Sequence, residues 1–206
     1  CSVEGFDFRQ NGAYPATETN TAVTGFFIPI VTHMATNVSI DDNIFTVPTG
    51  KGILFTGGSY GKIFNNTFND CGITYGNGHQ PDWRFYEAAP PISVGSFSPR
   101  GMVIRGNVFN RGTPYKTQLF LSACDDFLVE GNHLEDMNTL QAPILIYTGD
   151  EGTTDPSGTN IYKVSGKVLN NFINGTNLGT EAAIQIRMNT PTNFVPSTFD
   201  PTLMFS

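Results

Sequence analysis

Two pairs of acidic residues are candidates for acid–base chemistry. Asp125 and Asp126 form one pair, and Asp150 and Glu151 form the other, each a few residues beyond an apolar segment. Cleavage of a glycosidic bond uses two carboxyl groups, about 5 to 5.5 Å apart for retention and about 6.5 to 9.5 Å apart for inversion. We therefore predict Asp125 and Asp150 as catalytic residues. The alternative is that these residues are solvated turn residues, which is a common role for Asp.

A tryptophan with polar neighbours is a candidate binding element. Trp83 lies between Asp82 and Arg84 in a long segment without a strand pattern, residues 76–100. An exposed aromatic ring can stack on a sugar while polar groups beside it bond the hydroxyls. We predict that Trp83 and Arg84 bind substrate and that Asp82 is a third catalytic carboxylate. The alternative is that the aromatic residues of this segment pack it back onto the protein, because long loops need internal packing.

The composition predicts an all-β chain. Only 14% of the residues are charged, and the chain contains 22 Gly and 13 Pro, a mixture that disfavours helices and suits short strands joined by turns. The net charge of −7 argues against a general nucleic-acid-binding protein, which needs a positive surface. The sequence contains no apolar run of about 18 residues, so we predict no membrane insertion. Three cysteines without Cys-x-x-Cys spacing indicate no zinc site, and we expect neither a metal nor a cofactor.

A recurring phrase predicts how the strands are organised. The phrase is apolar-x-x-Asn-x-apolar, and a further copy at the start has Phe6 in the Asn position. Its asparagines follow one another at spacings of 23, 41, 25 and 39 residues, and they are Asn43, Asn66, Asn107, Asn132 and Asn171. A unit of about two dozen residues cannot bury its own apolar side chains and must stack on its neighbours. Because Asn is favourable in turns and its amide can bond an identical amide, we predict a turn at each Asn and an asparagine ladder along the stack.

A second apolar segment follows each copy, so two short strands are predicted in each unit. Two long insertions, residues 76–100 and 149–160, each follow such a strand, with the short connection 123–126 between them. Insertions in stacked repeats tend to lie on one face, and we expect these two to border a groove. Alternation along the second strands predicts an outward column beside it, formed by Val31, Thr56, Ser122, Tyr147 and Arg187. We predict that Tyr147 and Arg187, together with Glu151 of the second insertion, bind substrate, although each is alternatively an ordinary surface residue.

The repeat resembles that of the right-handed parallel β-helix proteins of the pectate-lyase-like group, which includes polysaccharide lyases, glycoside hydrolases and bacteriophage tailspikes. The resemblance covers residues 1 to about 190 and rests on the stacked phrase. It implies a right-handed parallel β-helix of about six coils with two insertions on one edge, a polysaccharide as partner, a homotrimer, and a location outside the cell or in a virion tail. Polygalacturonase-like members have an Asp-Asp pair followed by Gly-His-Gly and Arg-x-Lys. Asp125 and Asp126 are not followed by these motifs, so that particular assignment is not made.

The domain boundaries follow the phrase. We expect residues 1–190 to form the β-helix and residues 191–206, which lose the pattern and are rich in Pro, to leave or cap it. Residue 1 falls inside a unit, from which we expect further coils before it. Two functions remain open. The first is a polysaccharide depolymerase, either a glycosidase or a lyase, that acts on a bacterial surface glycan. The second is a non-catalytic β-helix shaft or carbohydrate-binding adhesin segment.

Overall fold

In the computed structural model of the chain, the described residues form short parallel strands stacked in three six-stranded sheets. It describes residues 1–9, 29–33, 35–46, 52–56, 58–69, 71, 73–76, 100–112, 118–122, 124–137, 142–147, 164–175 and 182–187. Within these ranges every paired strand is parallel to its neighbours, and the chain visits the three sheets in the same order each time. The arrangement is all-β and is compatible with a parallel β-helix or solenoid.

The strands are named by sheet. Sheet A contains β1 (Ser2–Glu4), β4 (Ser39–Asp41), β7 (Lys62–Phe64), β10 (Val103–Arg105), β13 (Phe127–Glu130) and β16 (Gly166–Leu169). Sheet B contains β2 (Asp7–Arg9), β5 (Ile44–Thr46), β8 (Thr67–Asn69), β11 (Val108–Gly112), β14 (His133–Met137) and β17 (Phe172–Ile173). Sheet C contains β3 (Ile30–His33), β6 (Ile53–Thr56), β9 (Ile73–Gly76), β12 (Leu119–Ser122), β15 (Ile144–Tyr147) and β18 (Ile184–Arg187).

The repeating unit contains three strands, and the prediction of two was wrong. The recurring phrase itself forms two strands, one in sheet A and one in sheet B, because the chain bends at the Asn between them. Asn43, for example, separates β4 from β5. The predicted second apolar segments form the strands of sheet C.

The interior consists of columns of identical or similar apolar side chains. Ile40, Ile63 and Ile104 occupy equivalent positions in sheet A and are fully buried. In sheet B the inward column is aromatic, with ring centroids 4.9 Å apart between Phe45 and Phe68 and 4.8 Å apart between Phe68 and Phe109. These separations are close to the spacing between paired strands, about 4.8 Å, so parallel pairing brings equivalent rings into stacking contact.

The left-handed turn residue lies one position before each ladder asparagine, and not at the asparagine itself. Backbone φ is positive at these preceding residues, which are Asp42, Asn65, Gly106, Gly131 and Asn170, and also at Gly5, which precedes Phe6 in the equivalent position. Gly, Asn and Asp are the residues that adopt this conformation at least cost. The ladder Asn is thereby left free to point its amide into the stack, whereas the residue before it bends the chain.

At one interior position two glycines each lie beside a large side chain of a neighbouring unit. A Cβ atom on Gly61 would lie 2.4 Å from Sδ of Met102, its neighbour in the next unit. A Cβ atom on Gly166 would likewise lie 2.4 Å from Cγ of Phe127 in the preceding unit. Each glycine thus provides the space that the larger neighbour fills, as close packing of interiors requires.

Sheet C is buried on both faces in the middle of the stack. Leu54, Phe120 and Leu145 alternate with the inward residues and lie outside the main core cluster, yet at most 5% of each is exposed. Strands that are buried on both faces have nearly continuous apolar sequences, as in β12 and β15. The register also corrects the predicted outward column, because Val31 pairs with Leu54, and it is His33 that pairs with Thr56.

Candidate functional site

The candidate site lies at the edge of sheet C where its strands end. Ser122 pairs with Tyr147, and Tyr147 pairs with Arg187, so these three positions follow one another along that edge. The strands that precede the two predicted insertions, β9 and β15, flank β12 on either side and run parallel to it. Both strands therefore end at one edge of the sheet, and the placement of the two insertions beside that edge stays a prediction.

A corner follows this edge and returns the chain to sheet A. Single parallel bridges connect its equivalent residues in successive units, from Thr36 to Ser59, from Ser59 to Arg100, and from Arg100 to Asp125. The next residue in each case has a positive φ, and these residues are Asn37, Tyr60, Gly101 and Asp126. The corner is therefore a second turn with a fixed backbone geometry, and Asp125 is held in it by backbone pairing.

The side chain of Asp125 contacts a residue of each neighbouring unit. Its Oδ1 accepts a hydrogen bond from Oγ of Ser165 at 2.5 Å, and its Oδ2 lies 3.9 Å from Nε of Arg100. The Asp125 side chain is 15% exposed. Oγ of Ser165 in turn accepts a hydrogen bond from the backbone N–H of Asp126 at 3.0 Å. The carboxylate is thus oriented by a hydroxyl on one side and balanced by a guanidinium on the other.

The register defines which residues lie beside the Asp125–Asp126 pair in the following unit. Phe127 pairs with Gly166, and Asp126 contacts Ser165. The second acidic pair, Asp150 and Glu151, was expected at matching points of the adjacent unit, but the register places Val164 and Ser165 at the positions equivalent to Asp125 and Asp126. Asp150 and Glu151 lie outside the described residues, so the separation between the Asp125 and Asp150 carboxylates stays a prediction.

Other predicted site residues are described in part or not at all. Asp82, Trp83 and Arg84 lie outside the described residues, as do the segments 77–99 and 148–163. For Tyr147 and Arg187 the structure gives the strand position and register, but not the side chain.

Sequence reasoning missed Arg100 and Ser165. The signal that finds Arg100 is its constant distance from the ladder: each bridged corner residue precedes its ladder asparagine by seven positions, as Asp125 precedes Asn132. The residue six positions before Asn171 is Ser165, which is the equivalent of Asp126. The corner residues of successive units are aligned by counting positions backward from the ladder Asn, rather than forward from the apolar strands of sheet C.

The acidic residues near the Asn turn have partners of their own. Oε2 of Glu130 lies 2.7 Å from Nη2 of Arg105, and Oε1 of Glu135 lies 2.5 Å from Nε2 of His133. The hydrogen bond from His133, followed by one from Asn174, lowers the pKa of Glu135 below its ordinary value. These residues lie on the outward faces of sheets A and B, on strands separate from the Asp125 corner.

The described part of the chain gives no further indication of a bound group. Among its residues no three His, Cys, Asp or Glu side chains are grouped so that they could hold a metal ion. No helix within these residues is long and apolar enough to cross a membrane. Cys71 and Cys124 are buried, whereas Cys1 is exposed.

Comparison of the chain with family models, with curated proteins and with solved structures gives no match. The class of the protein therefore rests on its strand arrangement, which is that of an all-β chain of stacked parallel strands.

Proposed function

We propose that this chain is a right-handed parallel β-helix of about six coils that degrades a polysaccharide, with its active site at the edge of sheet C. The observation that carries the proposal is the setting of Asp125, a carboxylate oriented by Ser165 and balanced by Arg100 at the corner beside that edge. The ends of β9 and β15, the strands that precede the two insertions 76–100 and 149–160, lie on the same side and support it. A bacterial surface glycan is the proposed substrate class.

In this proposal Asp125 acts as base or nucleophile, because an oriented carboxylate with a balancing cation is suited to accepting a proton or attacking a sugar carbon. Asp150 or Asp82 supplies the second carboxyl group. Trp83, Arg84, Tyr147, Arg187 and Glu151 are the proposed substrate-binding residues. The sequence and strand arrangement are compatible with either a hydrolase or a lyase.

The proposal is tested by measuring new reducing ends and unsaturated sugars after incubation with a panel of bacterial surface glycans. Loss of one member of an acid–base pair lowers the rate by about 10² to 10⁴, which is the expected effect of Asp125→Asn and of Asp150→Asn. Asp136→Asn is the matched control, since Asp136 is exposed with a positive φ that Asn also adopts. Circular dichroism verifies folding. The proposal fails if both variants at the edge retain normal turnover.

A second candidate function is a non-catalytic shaft or adhesin segment. The observation in its favour is that the contacts of Asp125 lie in the same column as the bridges that hold the corner together. If that is their purpose, Asp125→Asn lowers the thermal stability of a protein that releases no product from any glycan. A homotrimer and a location outside the cell or in a virion tail belong to both candidates. Sedimentation equilibrium measures the number of chains.

A further inference from the structure

The outward face of sheet B carries a regular row of polar side chains. Its members occupy equivalent positions in successive units, and they are Arg9, Thr46, Asn69, Asn110, Glu135 and Asn174. Neighbouring strands lie about 4.8 Å apart, so the row presents one hydrogen-bonding group at each such interval. A surface of this kind matches an extended polymer whose own polar groups repeat along its length.

From Thr46 to Asn174 the hydrogen bonds within the row run in one direction and are interrupted once. Nδ2 of Asn110 donates to Oδ1 of Asn69 at 3.1 Å, and Nδ2 of Asn174 donates to Oε2 of Glu135 at 3.1 Å. Glu135 pairs with Asn110 in the register but, as a carboxylate, cannot donate to it. Among the described residues none donates to Oδ1 of Asn110. The Asn110 and Glu135 side chains therefore present two adjacent hydrogen-bond acceptors.

An aromatic platform lies beside the interruption. Phe172 is 51% exposed and pairs in register with His133, whose ring packs edge-on against it with centroids 4.5 Å apart. Alternate residues of a strand face the same side, so His133 and Glu135 share this face. The local surface thus combines an exposed apolar ring with hydrogen-bond acceptors, the pairing that suits a sugar ring with its hydroxyls.

The charged groups on this face already have hydrogen-bonding partners within it. Arg9 bonds Asp7, with 2.6 Å between Nη2 and Oδ2, and His133 contacts Glu135 at 2.5 Å. The remaining described members of the row are uncharged amides and a hydroxyl. An anionic polymer would meet no unpaired described cation here, so the face favours an uncharged ligand.

We propose that the outward face of sheet B binds an uncharged polysaccharide, with one sugar ring on Phe172 and hydroxyls of the polymer donating to Glu135 and Asn110. The site is separate from the Asp125 corner. It rests on the proposed function only in taking a glycan as the ligand, and it adds a surface that holds the polymer while the edge of sheet C acts on it.

Affinity electrophoresis in gels that contain dextran, mannan, galactan or polygalacturonate tests the proposal. The protein carries Asp125→Asn throughout, so that binding is measured without cleavage and independently of whether the chain is an enzyme. We expect at least one of the three neutral polymers to retard the protein, and polygalacturonate to have no such effect. In that neutral gel Phe172→Ala and Glu135→Gln should each weaken binding about tenfold.

The matched controls are Phe6→Ala and Glu4→Gln. Phe6 is 56% exposed at the opposite end of the stack, and Glu4 is an exposed carboxylate on sheet A. Both should leave the retardation unchanged. The proposal is overturned if no neutral polymer retards the protein, or if the sheet B variants bind as tightly as their controls. Retardation that is lost in the sheet B variants, when the protein with Asp125 intact releases no sugar from the same polymer, would support this site and refute the proposed enzyme.

Discussion

The side-chain amide of Asn107 donates to Oδ1 of Asn132 at 2.9 Å, and the backbone N–H of Asn107 donates to the same oxygen at 3.0 Å. The Asn107 amide also bonds the backbone carbonyl of Ile63 at 2.9 Å, in the preceding unit. One side chain therefore connects three successive units. Asn43, Asn66 and Asn132 repeat this pattern.

Removal of one ladder amide is expected to be strongly destabilising. Asn107→Ala deprives the buried N–H of Asn66 of its acceptor and the Ile63 carbonyl of a donor. Each unsatisfied buried group costs about 1–3 kcal/mol, so we expect a loss of roughly 3 kcal/mol or more in the free energy of unfolding. Urea denaturation measures it. Asn69→Ala, on the partly exposed outward row, is the control and should cost less than about 1 kcal/mol. Equal effects would show that the ladder contributes no special stability.

The ladder and the apolar columns could be predicted from the sequence because stacking repeats a residue type at every unit. Identical side chains at a fixed spacing, such as Phe45, Phe68 and Phe109, are a direct consequence of parallel pairing in register. The bend at the Asn was also predicted. Its positive φ at the preceding residue was not, since Gly106 and Asp42 differ in type although they share one backbone conformation.

The candidate site was less predictable, because its partners come from different units through a corner of irregular sequence. The same corner position is occupied by side chains that differ in charge and polarity, namely Arg100, Asp125 and Val164. Backbone pairing, rather than side-chain type, places them. The burial of Phe120 on the outward side of sheet C could have been predicted, because the sequence of β12 is apolar without interruption until Ser122. A prediction from alternation alone places Phe120 in solvent.

The turn before the ladder asparagine is expected to discriminate sharply between side chains. Gly131 has a φ of 61°, and a Cβ atom there would meet nothing within 4 Å. Any cost of substitution is therefore conformational. We expect Gly131→Val to lower the free energy of unfolding by about 1–2 kcal/mol and Gly131→Asn to have a much smaller effect, since Asn visits this region readily. Urea midpoints of the two variants give the comparison, and a Val variant as stable as the Asn variant would contradict the turn conformation.

The size match between Gly166 and Phe127 predicts that substitutions at these two residues have coupled effects on the free energy of unfolding. Gly166→Ala would place its Cβ 2.4 Å from the ring of Phe127, and the resulting overpacking should cost about 1–3 kcal/mol. Phe127→Leu removes the ring and should relieve part of that cost. A double-mutant cycle on the free energy of unfolding is expected to show a coupling of about 0.5–3 kcal/mol. Additive effects would mean that the two side chains do not share this space.

The contact between His133 and Glu135 predicts a dependence of stability on pH. The pKa of Glu135 lies below its ordinary value of 4.5 because His133 and Asn174 bond the carboxylate. A carboxyl group with a lowered pKa in the folded state stabilises the protein above its unfolded-state pKa, and this contribution is lost as the pH falls through the folded-state value. Thermal unfolding of the wild type and of Glu135→Gln should therefore differ at neutral pH and converge in acid. A difference that is constant across the range would show that the carboxylate is not involved.

Ser165 is the residue whose substitution separates the two proposed functions most clearly. Its hydroxyl donates to Asp125 and accepts from the backbone of Asp126, so Ser165→Ala removes both contacts, whereas Ser165→Thr retains the hydroxyl. If Asp125 is catalytic, Ser165→Ala should lower kcat about tenfold with little change in KM, because the carboxylate is intact but less well oriented, and Thr should restore much of the rate.

If the corner is only structural, the same substitution should lower stability by about 1 kcal/mol, the value of a typical hydrogen bond. Its effect should then not add to that of Asp125→Asn, since each variant breaks the same contact. Ser39→Ala, at an outward position of β4, controls for loss of a hydroxyl elsewhere. A Ser165→Ala protein with unchanged turnover and unchanged stability would contradict both interpretations, because neither allows a contact across two units to have no effect.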